Sequence, residues 1–127
     1  AYMRRLVAEL NDDQFDVIVH NCAARLPHLP AILETGARIY HFGESMDVVK
    51  AMLQVPPGVV VCGNLDPVSV FVGNTPASVR DRTMDLLNGV GRDRREFVVS
   101  SGCDLPVETP PANIDAFFEA VRDYNTG

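Results

Sequence analysis

Four short runs rich in Val, Ile, Phe and Tyr recur along the chain: FDVIVHNC (15–22), ARIYHF (37–42), GVVVCGN (58–64) and REFVVSS (95–101). Each is bounded by Gly, Pro, Asn or Asp, the punctuation of a buried strand. Helical patterns lie before, between and after them. In 76–90, Val79, Leu86, Leu87 and Val90 fall on one stripe, behind Thr75 as N-cap and Pro76 at the first helical position. In 112–124, Ile114, Phe117, Phe118 and Val121 recur at i, i+3, i+4 and i+7 after Thr109-Pro110-Pro111. Segments 29–35 and 46–54 predict shorter helices, and Tyr2–Asn11 predicts one that feeds the first strand. The order is α(βα)4, an α/β chain. Its strands read as too continuously apolar to have a wet face, which is the pattern of parallel strands covered by helices. Two architectures satisfy it. One is an open doubly wound sheet; the other is half of a (β/α)8 barrel, whose full length is roughly 250 residues against 127 here.

Composition narrows the function classes. A hydrophobic content of 46% and a net charge of −6 describe one folded domain rather than a disordered segment. No run of 18 apolar residues exists, so no membrane partner is expected, and the N-terminus shows no apolar stretch of signal-peptide type. The acidic balance, with no Lys/Arg stripe, argues against nucleic acid. Arg80, Arg82, Arg92, Arg94 and Arg95 alternate with acids and read as a solvated face. The three cysteines are far apart and odd in number, the usage of reduced thiols in a cytoplasmic protein, available for metal or catalysis. The leading Ala1 reads as a residue added in cloning.

Polar chemistry collects where the strands end. His20-Asn21-Cys22, Gly43-Glu44-Ser45, Gly63-Asn64-Leu65-Asp66-Pro67 and Ser101-Gly102-Cys103-Asp104 all lie at carboxyl ends. In either architecture those ends share the face that holds active sites. Residues i and i+2 of a strand point the same way, so His20 and Cys22 approach one point as a half-site for a soft tetrahedral metal such as zinc. The plain alternative is a hydrogen-bonded His beside a small buried thiol. Cys103, on the same face, makes a third ligand and leaves a fourth position open, as in catalytic zinc. Glu44 is a candidate fourth ligand or a second acceptor orienting His20; its plain reading is a helix N-terminal acid before 46–54. Cys62, inside Val59-Val60-Val61-Cys62, reads as core packing. His28 and His41 have no partner by spacing and read as structural or solvated. Gly63–Pro67 reads as a tight turn.

Taken together these blocks are recognisable. VIVHNCA at 17–23, GNLDP at 63–67, TP-x-x-V at 75–79, SSGCDLP at 100–106 and TPPANIDAFFEAV at 109–121 resemble, in order, the C-terminal part of the uroporphyrinogen decarboxylase superfamily. The resemblance runs over nearly the whole chain and implies a TIM (β/α)8 barrel, of which these 127 residues are a single partial domain, the C-terminal half. His-x-Cys and a Cys in the last loop resemble the superfamily's zinc-dependent methylcobalamin:thiol methyltransferases. The decarboxylases lack that His-x-Cys and usually carry Gly-His-Gly in place of Ser101-Gly102-Cys103. One departure is Ala23, where the methyltransferase motif has Gly. The resemblance implies that a small-molecule thiol, held as thiolate at zinc ligated by His20, Cys22 and Cys103, displaces Glu44 and accepts the methyl group of a corrinoid or corrinoid protein. Asn64 and Asp66, in GNLDP, are the candidate cofactor-binding residues.

Two other readings stand beside this one. The first is a metal-free uroporphyrinogen decarboxylase, whose principal catalytic Asp and carboxylate-binding arginines lie mostly in the other half. The second is a half-barrel inactive on its own, which exposes two sheet edges and an apolar interior and therefore pairs with the missing N-terminal half or with a second copy.

Overall fold

The computed structural model describes residues 2–127; Ala1 lies outside them. Helix α1 (Tyr2–Leu10) precedes strand β1 (Ile18–Asn21). A 3-10 turn (Leu26–His28) and the short helix α2 (Leu29–Leu33) lead to β2 (Ile39–Phe42). Helix α3 (Val48–Ala51), β3 (Val60–Leu65) and a π-helical turn (Pro67–Val72) follow. Helix α4 (Pro76–Val90), β4 (Phe97–Ser101) and α5 (Pro111–Thr126) complete the chain. No helix is long and apolar enough to cross a membrane among the described residues.

The strands form one parallel sheet in the order β1-β2-β3-β4. A doubly wound sheet reverses its order partway across. Strict sequential order selects the other architecture, half of a (β/α)8 barrel.

Alternation along the strands sorts residues between two faces. The convex face packs under helices: Val19, Tyr40, Phe42, Val61 and Leu65 are buried there. Around the first four strand-face residues gather Leu29, Met46, Val48, Ala51 and Met52. Leu65 joins a second cluster with Val70, Phe71, Val79, Ala116 and Phe117. The concave face carries the alternate residues and lacks such a cover. Ile18 is 56% exposed and Val98 50%, so the expectation of strands without a wet face fails on this side. Four parallel strands span only part of a barrel wall, and among the described residues no second layer covers the inner face of that part.

Local chemistry sets the element ends. The first strand begins later than the pattern at 15–22 predicts. The Asp12 carboxylate accepts from the Gln14 and Phe15 amides at 2.7 and 2.8 Å, and Asn11 Oδ1 accepts from Val17 N at 2.6 Å. Those bonds hold a turn up to Val17 in place of a ladder. Thr75 caps α4 as expected, its hydroxyl accepting from Ser78 N at 3.3 Å. Asp47, not Glu44, caps α3, accepting from Lys50 N. The stripe expected for α5 is rotated. Phe118 is exposed, and the face turned inward is Asn113, Ala116, Phe117, Ala120 and Tyr124. Asn113 Nδ2 donates to the carbonyls of Phe71 and Asn74 at 2.7 and 2.8 Å, and Tyr124 OH donates to Leu87 O at 3.0 Å.

Candidate metal centre

Across the concave face, His20, His41, Cys62 and Val98 are register partners and form one row. The same alternation carries Cys22, just past β1, to the next layer up. The ring of His20 turns along its own strand toward it: Nε2 lies 2.7 Å from Cys22 Sγ. Its other nitrogen, Nδ1, lies 3.2 Å from the carbonyl oxygen of His41. A carbonyl only accepts, so Nδ1 carries the hydrogen and Nε2 presents a bare lone pair to the cysteines.

Cys103 comes from the far end of the sheet. β1 and β4 are opposite edges, yet Cys103 Sγ lies 3.4 Å from Cys22 Sγ and 3.9 Å from His20 Nε2. Two glycines make this reach possible. A Cβ on Gly102 would stand 2.8 Å from Glu44 N, and one on Gly43 would stand 2.2 Å from Cys22 O. The chain ends after β1, β2 and β4 are thus stacked backbone on backbone, and Cys103 arrives over β2. Gly102 N donates to Leu65 O at 2.7 Å, and Ser101 Oγ donates to Cys103 O at 2.7 Å, which shapes the turn that presents the thiol.

The donor atoms of His20, Cys22 and Cys103 lie within 4.8 Å of one another. One imidazole nitrogen and two sulfurs are a soft donor set that fits zinc with a fourth position left for another ligand. Without a cation, two thiols this close oppose each other's ionisation. The hydrogen bond with Cys103, then burial and the charges of Cys103 and Glu44, raise the Cys22 pKa above the ordinary thiol value. A bound dication reverses that balance, since the thiolate form is the ligand.

Glu44 is exposed and stands outside the trio, though near enough for its charge to act on Cys22. It does not orient His20; the His41 carbonyl does. Cys62 is half-buried on the concave face, outside the trio, and burial raises its pKa. His28 Nδ1 accepts from Arg25 N at 3.1 Å, a structural use.

Asn64 and Asp66, expected to contact a cofactor, are engaged within the chain. Asn64 Nδ2 donates to the carbonyls of Gly43 and Met46 at 3.0 and 2.5 Å, pinning the turn that carries Glu44. The Asp66 carboxylate accepts from Val68 N, Ser69 N and Ser69 Oγ at 2.9, 3.2 and 2.7 Å. Asp66 is therefore the cap of the π-helical turn, where the sequence suggested only a tight turn. The Ser69 hydroxyl above all holds its pKa below the usual carboxylate value.

Pattern reading missed Gly43, Gly102 and His41 as parts of this site. The glycines stood next to the chemistry as ordinary strand-end residues. His41 had no spacing partner because its contacts lie on other strands. A depression of about 440 Å3, lined by His20, His41, Ser100, Ser101, Cys103, Asp104 and Leu105, opens beside the trio.

Comparison with protein families matches residues 1–124 to Uroporphyrinogen decarboxylase (URO-D). The chain belongs to the uroporphyrinogen decarboxylase family. Within that family it is similar to the methylcobamide:CoM methyltransferase MtbA of Methanosarcina acetivorans, with 26% identity over 124 residues, 97% of this chain and 34% of that protein. MtbA of Methanosarcina mazei is 27% identical over the same shares. Uroporphyrinogen decarboxylase of Pseudomonas aeruginosa is 32% identical over 129 residues, 98% of this chain and 35% of that protein. The chain spans about a third of the length of these relatives. Family membership agrees with the sheet order and with the resemblance carried by GNLDP and SSGCDLP, while the relatives' reactions divide between methyl transfer and decarboxylation.

Proposed function

We propose that this chain is the C-terminal, metal-bearing part of a zinc-dependent methyltransferase that moves a methyl group from a methylated corrinoid to a thiol. The observation that carries the reading is the approach of His20 Nε2, Cys22 Sγ and Cys103 Sγ to within 4.8 Å from opposite edges of one sheet. A hydrogen-bonded structural His or a packed Cys needs no such convergence. Zinc, when bound, supplies the positive charge that keeps a substrate thiol ionised near neutral pH, and the corrinoid supplies the methyl group.

The chain's own residues have separate tasks. His20 offers a neutral nitrogen whose tautomer the His41 carbonyl holds. Cys22 and Cys103 would hold zinc through two negative donors, a donor set that suits alkyl transfer to a thiol better than hydrolysis. Glu44, exposed and with its charge acting on Cys22, would be the exchangeable group at the open position of a bound zinc. Asn64 holds the backbone turn beneath Glu44. Closure of the barrel brings further strands against the β1 and β4 edges, from the rest of a longer chain or from a second copy.

A second reading, decarboxylation of a tetrapyrrole without metal, is favoured by the identity with the Pseudomonas protein. Elemental analysis of the purified chain beside Cys103→Ala separates the two. Close to one zinc per chain, lost in the variant, supports the methyltransferase. No zinc in either after reconstitution turns the assignment toward the decarboxylase.

A further inference from the structure

We propose that His41 is the positioning residue of the metal centre, tying the ligands of β1 to the ligand that follows β4 while ligating nothing itself. This inference rests on the metal centre argued above.

His41 touches both halves of the site. On the β1 side, its backbone carbonyl receives the Nδ1 hydrogen of His20 at 3.2 Å. Its ring stacks on the His20 ring, with centroids 4.6 Å apart and planes 29° from parallel. Together these contacts restrict rotation of the His20 ring, which sets where Nε2 points. On the β4 side, Nε2 of His41 lies 2.9 Å from the carbonyl oxygen of Ser101 and 3.2 Å from Ser100 Oγ. Ser100 Oγ donates to that same carbonyl at 2.9 Å. The carbonyl can only accept, so His41 carries its hydrogen on Nε2 and donates it across the sheet.

The anchored residue matters. Ser101 is the last residue of β4 and stands two before Cys103, and its hydroxyl donates to the Cys103 carbonyl at 2.7 Å. One strut therefore runs from the His20 ring through His41 and Ser101 to the turn that presents Cys103. The strut crosses β3, whose side chain in that row, Cys62, takes no part in it. His41 is no substitute ligand: its Nε2 is engaged by Ser101, and it lies outside the group of donor atoms that converge. Apart from this strut and the approach of the ligand atoms themselves, the two ligand-bearing ends meet through the backbone stacking of Gly43 and Gly102.

Two substitutions divide the strut. His41→Phe keeps a ring against His20 and removes the donor to Ser101. His41→Gln removes the ring and keeps an amide donor of similar reach. Both retain the backbone carbonyl that holds His20. The probe is Co(II), read by its thiolate charge-transfer and d–d absorption, with affinity taken from competition against a chromophoric chelator. Wild type is titrated first; a wild-type chain with no thiolate–cobalt band sinks the metal centre itself, independently of His41. Given wild-type binding, His41→Phe should bind Co(II) about tenfold or more weakly, with altered d–d bands, and His41→Gln should recover affinity to within about threefold. A Phe variant that matches wild type in affinity and spectrum overturns the proposal, as does a Gln variant as weak as Phe.

Circular dichroism of the metal-free variants shows whether they fold. A measurement on unaltered protein decides the matter if they do not. In 15N-imidazole NMR of zinc-loaded wild type, His41 should be the Nε2–H tautomer and His20 the Nδ1–H tautomer. An Nδ1–H His41 overturns the tether.

Discussion

The two faces of the sheet use the same four strands for opposite ends. Val19, Tyr40, Phe42, Val61 and Leu65 turn one way and are buried beneath helices. The residues between them turn the other way and include His20, His41, Cys62, Asn64 and Ser100, none of them fully buried. The strand period of two performs the separation. The covered face provides most of the apolar burial on which stability depends. The open face is left to hold groups that would be costly in a dry core. A substitution's effect should accordingly depend on which face it strikes, and adjacent residues of one strand can differ sharply.

The strongest break of that contrast is Phe42→Ala. Phe42 is fully buried beside Tyr40, so truncation should cost about 3–5 kcal/mol. Urea denaturation should show a greatly reduced or absent folded baseline, and a loss below about 1 kcal/mol would mean that the convex face does not dominate stability.

Gly43→Ala comes next, one residue further along and at the mouth. The new Cβ would meet Cys22 O at 2.2 Å, so the strand ends must part, at about 1–3 kcal/mol. The test measures stability and Co(II) affinity on the same samples. Metal affinity should fall along with stability, because Cys22 is the residue displaced. Unchanged affinity would show that the backbone stacking does not gather the ligands.

Asp66→Ala probes the cap that follows β3. Its loss should cost about 1 kcal/mol at neutral pH. The Asp66 pKa is lower folded than unfolded, so its contribution is present above the unfolded value of about 3.9 and fades as pH falls through the folded value. The stability gap between wild type and Asp66→Ala should therefore be constant near neutral pH and close on acidification. A gap that widened toward acid would contradict the cap.

Val98→Thr is the smallest effect. Val98 shares a row with His41 and Cys62 but is half exposed, and the change should stay within about 0.5 kcal/mol. A cost above about 1 kcal/mol would show that another chain or segment covers this face in solution.

Much of this arrangement was legible from residues alone. The spacing of Val79 and Leu87 behind Thr75-Pro76 located α4, and four apolar runs at parallel-strand intervals located the sheet. His-x-Cys placed two ligands on one face through the period of a strand. One signal misled for an identifiable reason. Phe118 fitted a helical stripe, but the inward face of α5 is centred on Asn113, Ala116, Phe117, Ala120 and Tyr124, which leaves Phe118 on the outer side. Asn64 and Asp66 stood out as polar groups at a strand end, and the structure adds their partners within the chain: Gly43 and Met46 for the Asn64 amide nitrogen, and the turn at Pro67–Val72 for the Asp66 carboxylate.

By itself the sequence determined the alternation of strands and helices, the pairing of His20 with Cys22, and a family resemblance spread over nearly its whole length. These are local or cumulative properties, set by backbone periodicity and residue type within a few positions of each other. Only the tertiary structure decided that Cys103 meets that pair from the opposite edge, that Gly43 and Gly102 permit the meeting, and that His41 spans it. Those contacts join residues 21 to 83 positions apart in sequence, and no periodicity connects them. They exist because the twisted, curved sheet brings its strand ends together where two missing side chains let the backbones touch.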